Sequence, residues 1–93
     1  MRTVHRFNLL PGKTELSLPV DAKILCARER NDDVSLWVLL DPDQVKKRRV
    51  FWSFGTGELV PDGLKLRYID TVSLREKSPQ LMFFHIFEEE LSP

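Results

Sequence analysis

The sequence predicts an all-β fold, a small antiparallel β-sandwich or partly open barrel of about seven short strands. Three observations lead there. Apolar and polar residues alternate with period two in most segments, turn residues punctuate the alternation, and no stretch carries apolar residues at helical spacing. A chain of 93 residues, 42% of them hydrophobic, can build one core but not two. The expectation is therefore a single β domain over residues 1–88, with 89–93 a frayed acidic tail.

The first strand, 3–9, sets His5, Phe7 and Leu9 against Val4, Arg6 and Asn8, and Pro11-Gly12 breaks it. Leu16 and Leu18 alternate with Glu15 and Ser17 in a second strand that Pro19 closes. In 22–30, Ile24 and Cys26 share one face, with Leu25 and Ala27 on the other. Asn31-Asp32-Asp33 is the best hairpin turn, because Asn and Asp tolerate left-handed backbone angles. In 34–40 both faces are largely apolar, which places this strand in the middle of a sheet and ends it at Asp41-Pro42. A single helical turn at 43–47 precedes the strand 50–54. Leu64, Leu66, Tyr68, Asp70, Val72 and Leu74 form one face of 64–74, and Glu76-Lys77-Ser78-Pro79 connects to the last strand, 81–87. There Leu81, Phe83, His85 and Phe87 alternate with Met82, Phe84 and Ile86 before Glu88-Glu89-Glu90 stops the strand by self-repulsion.

Composition excludes several functions. Fourteen cations balance fourteen anions, so no global field recruits nucleic acid or an anionic membrane. The longest apolar runs are about five residues, against the roughly 20 that span a bilayer. One cysteine, Cys26, gives no internal disulfide. With His5 and His85 it makes three nitrogen or sulfur ligands, one short of a structural zinc site. No motif couples either histidine to a nucleophile or an orienting carboxylate, so the chain is expected not to be an enzyme and to hold no cofactor.

Two segments remain as candidates for contact. Lys46-Lys47-Arg48-Arg49 followed by Val50-Phe51-Trp52 interleaves cations with aromatics. It reads either as a solvated loop or as a partner-binding surface built from Lys46, Lys47, Arg48, Arg49 and Trp52. On both readings, replacing Arg48 and Arg49 by serine should move the Tm by no more than roughly two degrees. Gly55-Thr56-Gly57 is a candidate ligand loop, although Glu58 would bring a carboxylate to any phosphate held there. The aromatic content exceeds what one inner face can bury, which favours a partner surface or a homodimer.

Several of these features recur together. Ala22-Lys23-Ile24-Leu25, Asp41-Pro42, Phe54-Gly55-Thr56-Gly57, Pro61-Asp62, Tyr68-Ile69-Asp70-Thr71-Val72 and the closing His85-Ile86-Phe87-Glu88-Glu89 stand in the order found in one group. The chain resembles a family of short uncharacterised proteins, a domain of unknown function, found largely in bacteriophage genomes and prophages. The run Lys46 through Arg49 and a longer connection at 76–80 depart from the pattern. The resemblance implies a phage accessory protein acting in the cytoplasm of the infected bacterium, and no catalytic residues. The expected function is to bind and modulate a host protein, such as a defence factor. The alternatives are a protein that sequesters a nucleotide signal or other small ligand, and a minor virion or assembly component. Nucleic acid is not an expected partner.

Overall fold

The structure, a computed structural model, describes residues 1–75 and 81–91. Its strands are β1 Thr3–Leu9, β2 Gly12–Pro19, β3 Lys23–Arg30, β4 Asp33–Leu40, β5 Lys46–Gly55, β6 Leu66–Leu74 and β7 Met82–Glu89. They form two antiparallel sheets, three strands in the order β1-β4-β3 and four in the order β2-β5-β7-β6. The sheets pack face to face without closing, so the expected β-sandwich is found and the barrel is not. Among the described residues there is no helix, hence none able to cross a membrane. The connection expected at 76–79 lies outside the described residues.

The turn chemistry explains the connections. Pro11 ends the β1 ladder, and Gly12, at φ +79°, turns the chain from one sheet into the other. Thr14 accepts the Leu10 N–H at 2.9 Å and pins that corner. Asn31 and Asp32 lie at φ 53° and 63° between the paired residues Arg30 and Asp33, a two-residue mirror-image turn. Glycine suits the second position of such a turn better than aspartate. Asp32→Gly is therefore expected to stabilise the protein by about 0.5 kcal/mol, raising the Tm by roughly 2–4 °C. A thermal melt with an unchanged or lower Tm would contradict this reading of the turn.

The helical turn expected at 43–47 does not form. Asp41 instead accepts the N–H of Asp43 on its side chain at 3.0 Å and that of Gln44 on its carbonyl at 3.1 Å, a tight Asx-type turn. Strand β5 has already begun at Lys46.

The core lies between the sheets. Val34, Leu36, Val38 and Leu40 of β4 project inward with Leu9 and Ala27, and meet Leu18, Phe51, Val72, Leu74 and Ile86 from the other sheet. Two β-bulges change which residues face this core. One, between Ile24 and Cys26, sends Ile24 inward opposite Val38 and Cys26 outward beside Trp37, so the two do not share a face as expected. The other, between Tyr68 and Asp70, splits the expected single face of β6: Leu66 and Tyr68 point outward while Val72 and Leu74 point in. At that bulge Asp70 accepts the Ala27 N–H at 3.2 Å and pairs with Arg28. It thereby joins the facing edges of β3 and β6.

Strand β7 ends two residues later than expected, at Glu89, and of its two alternating series the one with Phe84 and Ile86 faces the core. Ile86 is fully buried and Phe84 packs on the core, whereas Phe83, His85 and Phe87 face out. The acidic run does not stop the strand, because Glu88 lies buried between two arginines and Glu89 still pairs with Val50 and Leu66. The Glu90 N–H donates to the Lys65 carbonyl at 2.7 Å.

Candidate functional site

The basic run is neither a loop nor a single patch. It forms the first half of β5, paired against β2 from Pro19 to Leu16, so alternation divides it. Lys46 and Arg48 share the outer face with Val50, Trp52 and Phe54. Lys47 and Arg49 take the inner side with Phe51 and Ser53.

Arg49 is part of the interior. Its side chain is 11% exposed and that of Glu88 8%. Arg49 donates from Nε and Nη2 to the two Glu88 oxygens at 2.6 and 2.7 Å, and from Nη1 to the Ala22 carbonyl at 2.6 Å. Arg67, largely exposed, adds a bond to Glu88 Oε1 at 2.8 Å. Burial alone would raise the Glu88 pKa, but the hydrogen bonds and charges of Arg49 and then Arg67 outweigh it and hold the carboxyl below its ordinary value. The expectation that Arg48 and Arg49 can both become serine without thermal cost therefore fails at Arg49. Its loss would leave a buried carboxylate with one partner fewer.

Arg48 binds within its own face. Its Nε and Nη2 donate to Glu15 Oε1 at 3.0 and 2.6 Å, and Lys13 lies 3.7 Å from the same oxygen. The Arg48 hydrogen bond and charge hold the Glu15 pKa below its ordinary value. Next to this group comes an aromatic cluster. Trp52 stacks parallel to Phe54 with ring centres 5.5 Å apart, Phe54 meets Phe87 at 6.2 Å, and Tyr68 meets Phe87 edge-on at 5.8 Å. The indole N–H of Trp52 donates to Glu89 at 2.7 Å, and Lys13 sits 5.9 Å from the ring. Beneath the surface Val50 and Phe54 are buried, whereas Tyr68 is 57% and Phe83 46% exposed.

The glycine segment borders this cluster. Gly57 lies at φ +89°, a conformation that L side chains rarely adopt. Glu58 folds back to accept the Gly55 N–H at 3.0 Å, so a carboxylate already occupies the backbone donor that a phosphate would need. Thr56 joins the outer face: its hydroxyl is 2.8 Å from His85 Nε2. The other ring nitrogen lies 3.2 Å from the Thr71 hydroxyl, which in turn bonds the Tyr68 hydroxyl at 2.7 Å. Two hydroxyls, rather than a carboxylate, orient this histidine.

Of the residues picked out in sequence, Lys46, Arg48, Trp52 and Thr56 thus share one sheet face, and Lys47 and Arg49 lie on the other. Tyr68, Phe83, His85, Phe87 and Glu89 complete the face that holds Trp52. Sequence reading did not pick them out because both alternating series of β7 are apolar and alternation alone does not say which one faces the core. The signal was present in Glu88, whose place two residues after Ile86 requires either a buried carboxylate or a strand that has ended.

Among the described residues no group of three or more His, Cys, Asp or Glu side chains could hold a metal ion. Fold and surface together define a small open β-sandwich that carries an aromatic face on its larger sheet. The chain belongs to the family described as Domain of unknown function (DUF7352), whose profile matches residues 1–93. Neither the curated proteins nor the solved structures contain a match to it.

Proposed function

We propose that this chain is a non-enzymatic binding module, a phage accessory protein that engages and modulates a host bacterial protein in the cytoplasm of the infected cell. The observation that carries the reading is the outer face of the four-stranded sheet, where Tyr68 stands half-exposed against Phe87 in the Trp52 cluster and Phe83, also half-exposed, lies further along β7 beyond His85. Lys13 and Arg48 are both engaged by Glu15, and the aromatic surface beside them is suited to an apolar protein patch. The phage setting rests on the resemblance carried by Phe54-Gly55-Thr56-Gly57 and His85-Ile86-Phe87-Glu88-Glu89.

The test is the double variant Tyr68→Ser, Phe83→Ser. Both side chains are exposed, so the Tm should stay within a few degrees. Capture of a host protein, identified by mass spectrometry and re-measured with the purified partner, should weaken at least tenfold. Undiminished binding by the folded variant would remove this face from the function.

A second reading has its own observation. The row Tyr68, Thr71, His85 and Thr56 sets hydroxyls and an imidazole beside stackable rings, as a small-ligand sequestering protein would need. Titration with cyclic nucleotides separates this reading from the first. Mass spectrometry of purified virions tests the third, a minor virion component.

A further inference from the structure

The outer face of the three-stranded sheet, on the opposite side of the sandwich, has a different character. Pairing across it places Val4, Arg6 and Asn8 of β1 beside Leu39, Trp37 and Ser35 of β4, and these beside Lys23, Cys26 and Arg28 of β3. The centre is apolar: Trp37 and Leu39 are half-buried, and Val4 and the bulged Leu25 are each 48% exposed. The charged residues paired on this face are Arg6, Lys23, Arg28 and Arg30, with Asp33 across from Arg30 as the one carboxylate; Glu29, opposite Val34, belongs to the other face. Arg28 is already engaged by Asp70. Arg6 and Lys23 have no acidic partner among the described residues.

Arg6 is also held in place. Its Nη1 donates to Asn8 Oδ1 at 2.8 Å and lies 3.4 Å from Ser35 Oγ, while the fully buried Ser35 hydroxyl donates to the same Asn8 oxygen at 3.1 Å. All these partners are neutral. The guanidinium is positioned without being neutralised, and its Nε and Nη2 stay open for a two-point bond to a carboxylate.

We propose that this face docks an acidic segment of a partner protein in extended conformation. The register sets the spacing. Arg6 and Lys23 lie two strands and two residues apart, about 12 Å by ordinary sheet dimensions. An extended chain covers that distance in about four residues, with the side chain midway on the same face. The matching segment thus carries two carboxylates four positions apart and an apolar side chain between them, which rests on Trp37 and Leu39. The aliphatic Val4, Leu25 and Leu39 favour a protein over a nucleic acid, whose binders offer stacked aromatics instead. This surface is independent of the aromatic face of the larger sheet.

The test uses the full chain and a labelled synthetic peptide with two glutamates four positions apart and a leucine midway. Saturable binding is expected, at least tenfold weaker for Arg6→Ser and for a peptide with lysines in place of glutamates, and weakening as salt rises. Lys23→Ser should lower affinity in the same direction, and the Tyr68→Ser, Phe83→Ser variant should bind the peptide normally. The Tm of each variant establishes that it is folded. Absence of saturable binding, or equal binding by folded Arg6→Ser and wild type, would overturn the proposal. So would tighter, Arg6-dependent binding of a single-stranded oligonucleotide than of the peptide, which would make the face a nucleic-acid surface.

Discussion

Glu88→Ala is expected to destabilise the protein by about 3–5 kcal/mol, because it leaves Arg49 buried against a carbonyl with no counter-ion. A domain of this kind has on the order of 5–10 kcal/mol in total, so the variant should be mostly unfolded at moderate urea. Charge removal and packing can be separated. The pair Arg49→Met, Glu88→Leu fills a similar volume without ions and should recover stability to within about 1 kcal/mol of wild type, since a well-packed apolar pair often equals a buried ion pair. Acid gives an independent readout. The folded-state pKa of Glu88 lies below the ordinary 4.5, so its contribution is complete above that value and is lost as the pH falls through the lower, folded-state one. Urea melts between pH 7 and pH 3 should show this loss in wild type and a shallower dependence in the Met–Leu pair. Equal acid sensitivity in the two proteins would mean that Glu88 does not control it.

Phe51→Ala should cost about 3–5 kcal/mol and lower the Tm by more than roughly 12 °C, since the ring is fully buried in the core. Phe83→Ala, on the outer face of β7, should cost under about 1 kcal/mol. The comparison tests the facing of the larger sheet with two chemically identical truncations. Similar losses at the two positions would show that the strand faces are assigned incorrectly.

What the sequence reveals depends on the range of the interactions involved. Strand existence and the Asn31-Asp32 turn follow from local alternation and local backbone preference, and both were legible. A bulge is different: one extra residue, Leu25 or Ile69, reverses the parity of everything beyond it, and no local signal separates it from a regular strand. In β7 both faces are apolar, so hydrophobicity could not choose between Phe83 and Phe84. The choice rests on Glu88, whose burial depends on Arg49 and Arg67 arriving from other strands, 39 and 21 residues away in sequence. The same distance hid the character of the basic run. Four adjacent cations look like a solvated loop until pairing with β2 turns every second one inward.

The order of strands also determines how the chain reaches this state. Of the six connections, only β3–β4 and β6–β7 join neighbours within a sheet; the others cross between sheets or pass over an intervening strand. Folding must therefore close several long loops before most contacts form, which places it in the millisecond-to-second range of non-local β topologies. The β3–β4 hairpin, with its tight turn, is the natural early nucleus. Until β1 arrives on one side of β4, that hairpin exposes a long apolar strand edge. A cell making this protein in quantity thus carries a transient aggregation hazard during synthesis, which faster closure of the Asn31-Asp32 turn would shorten.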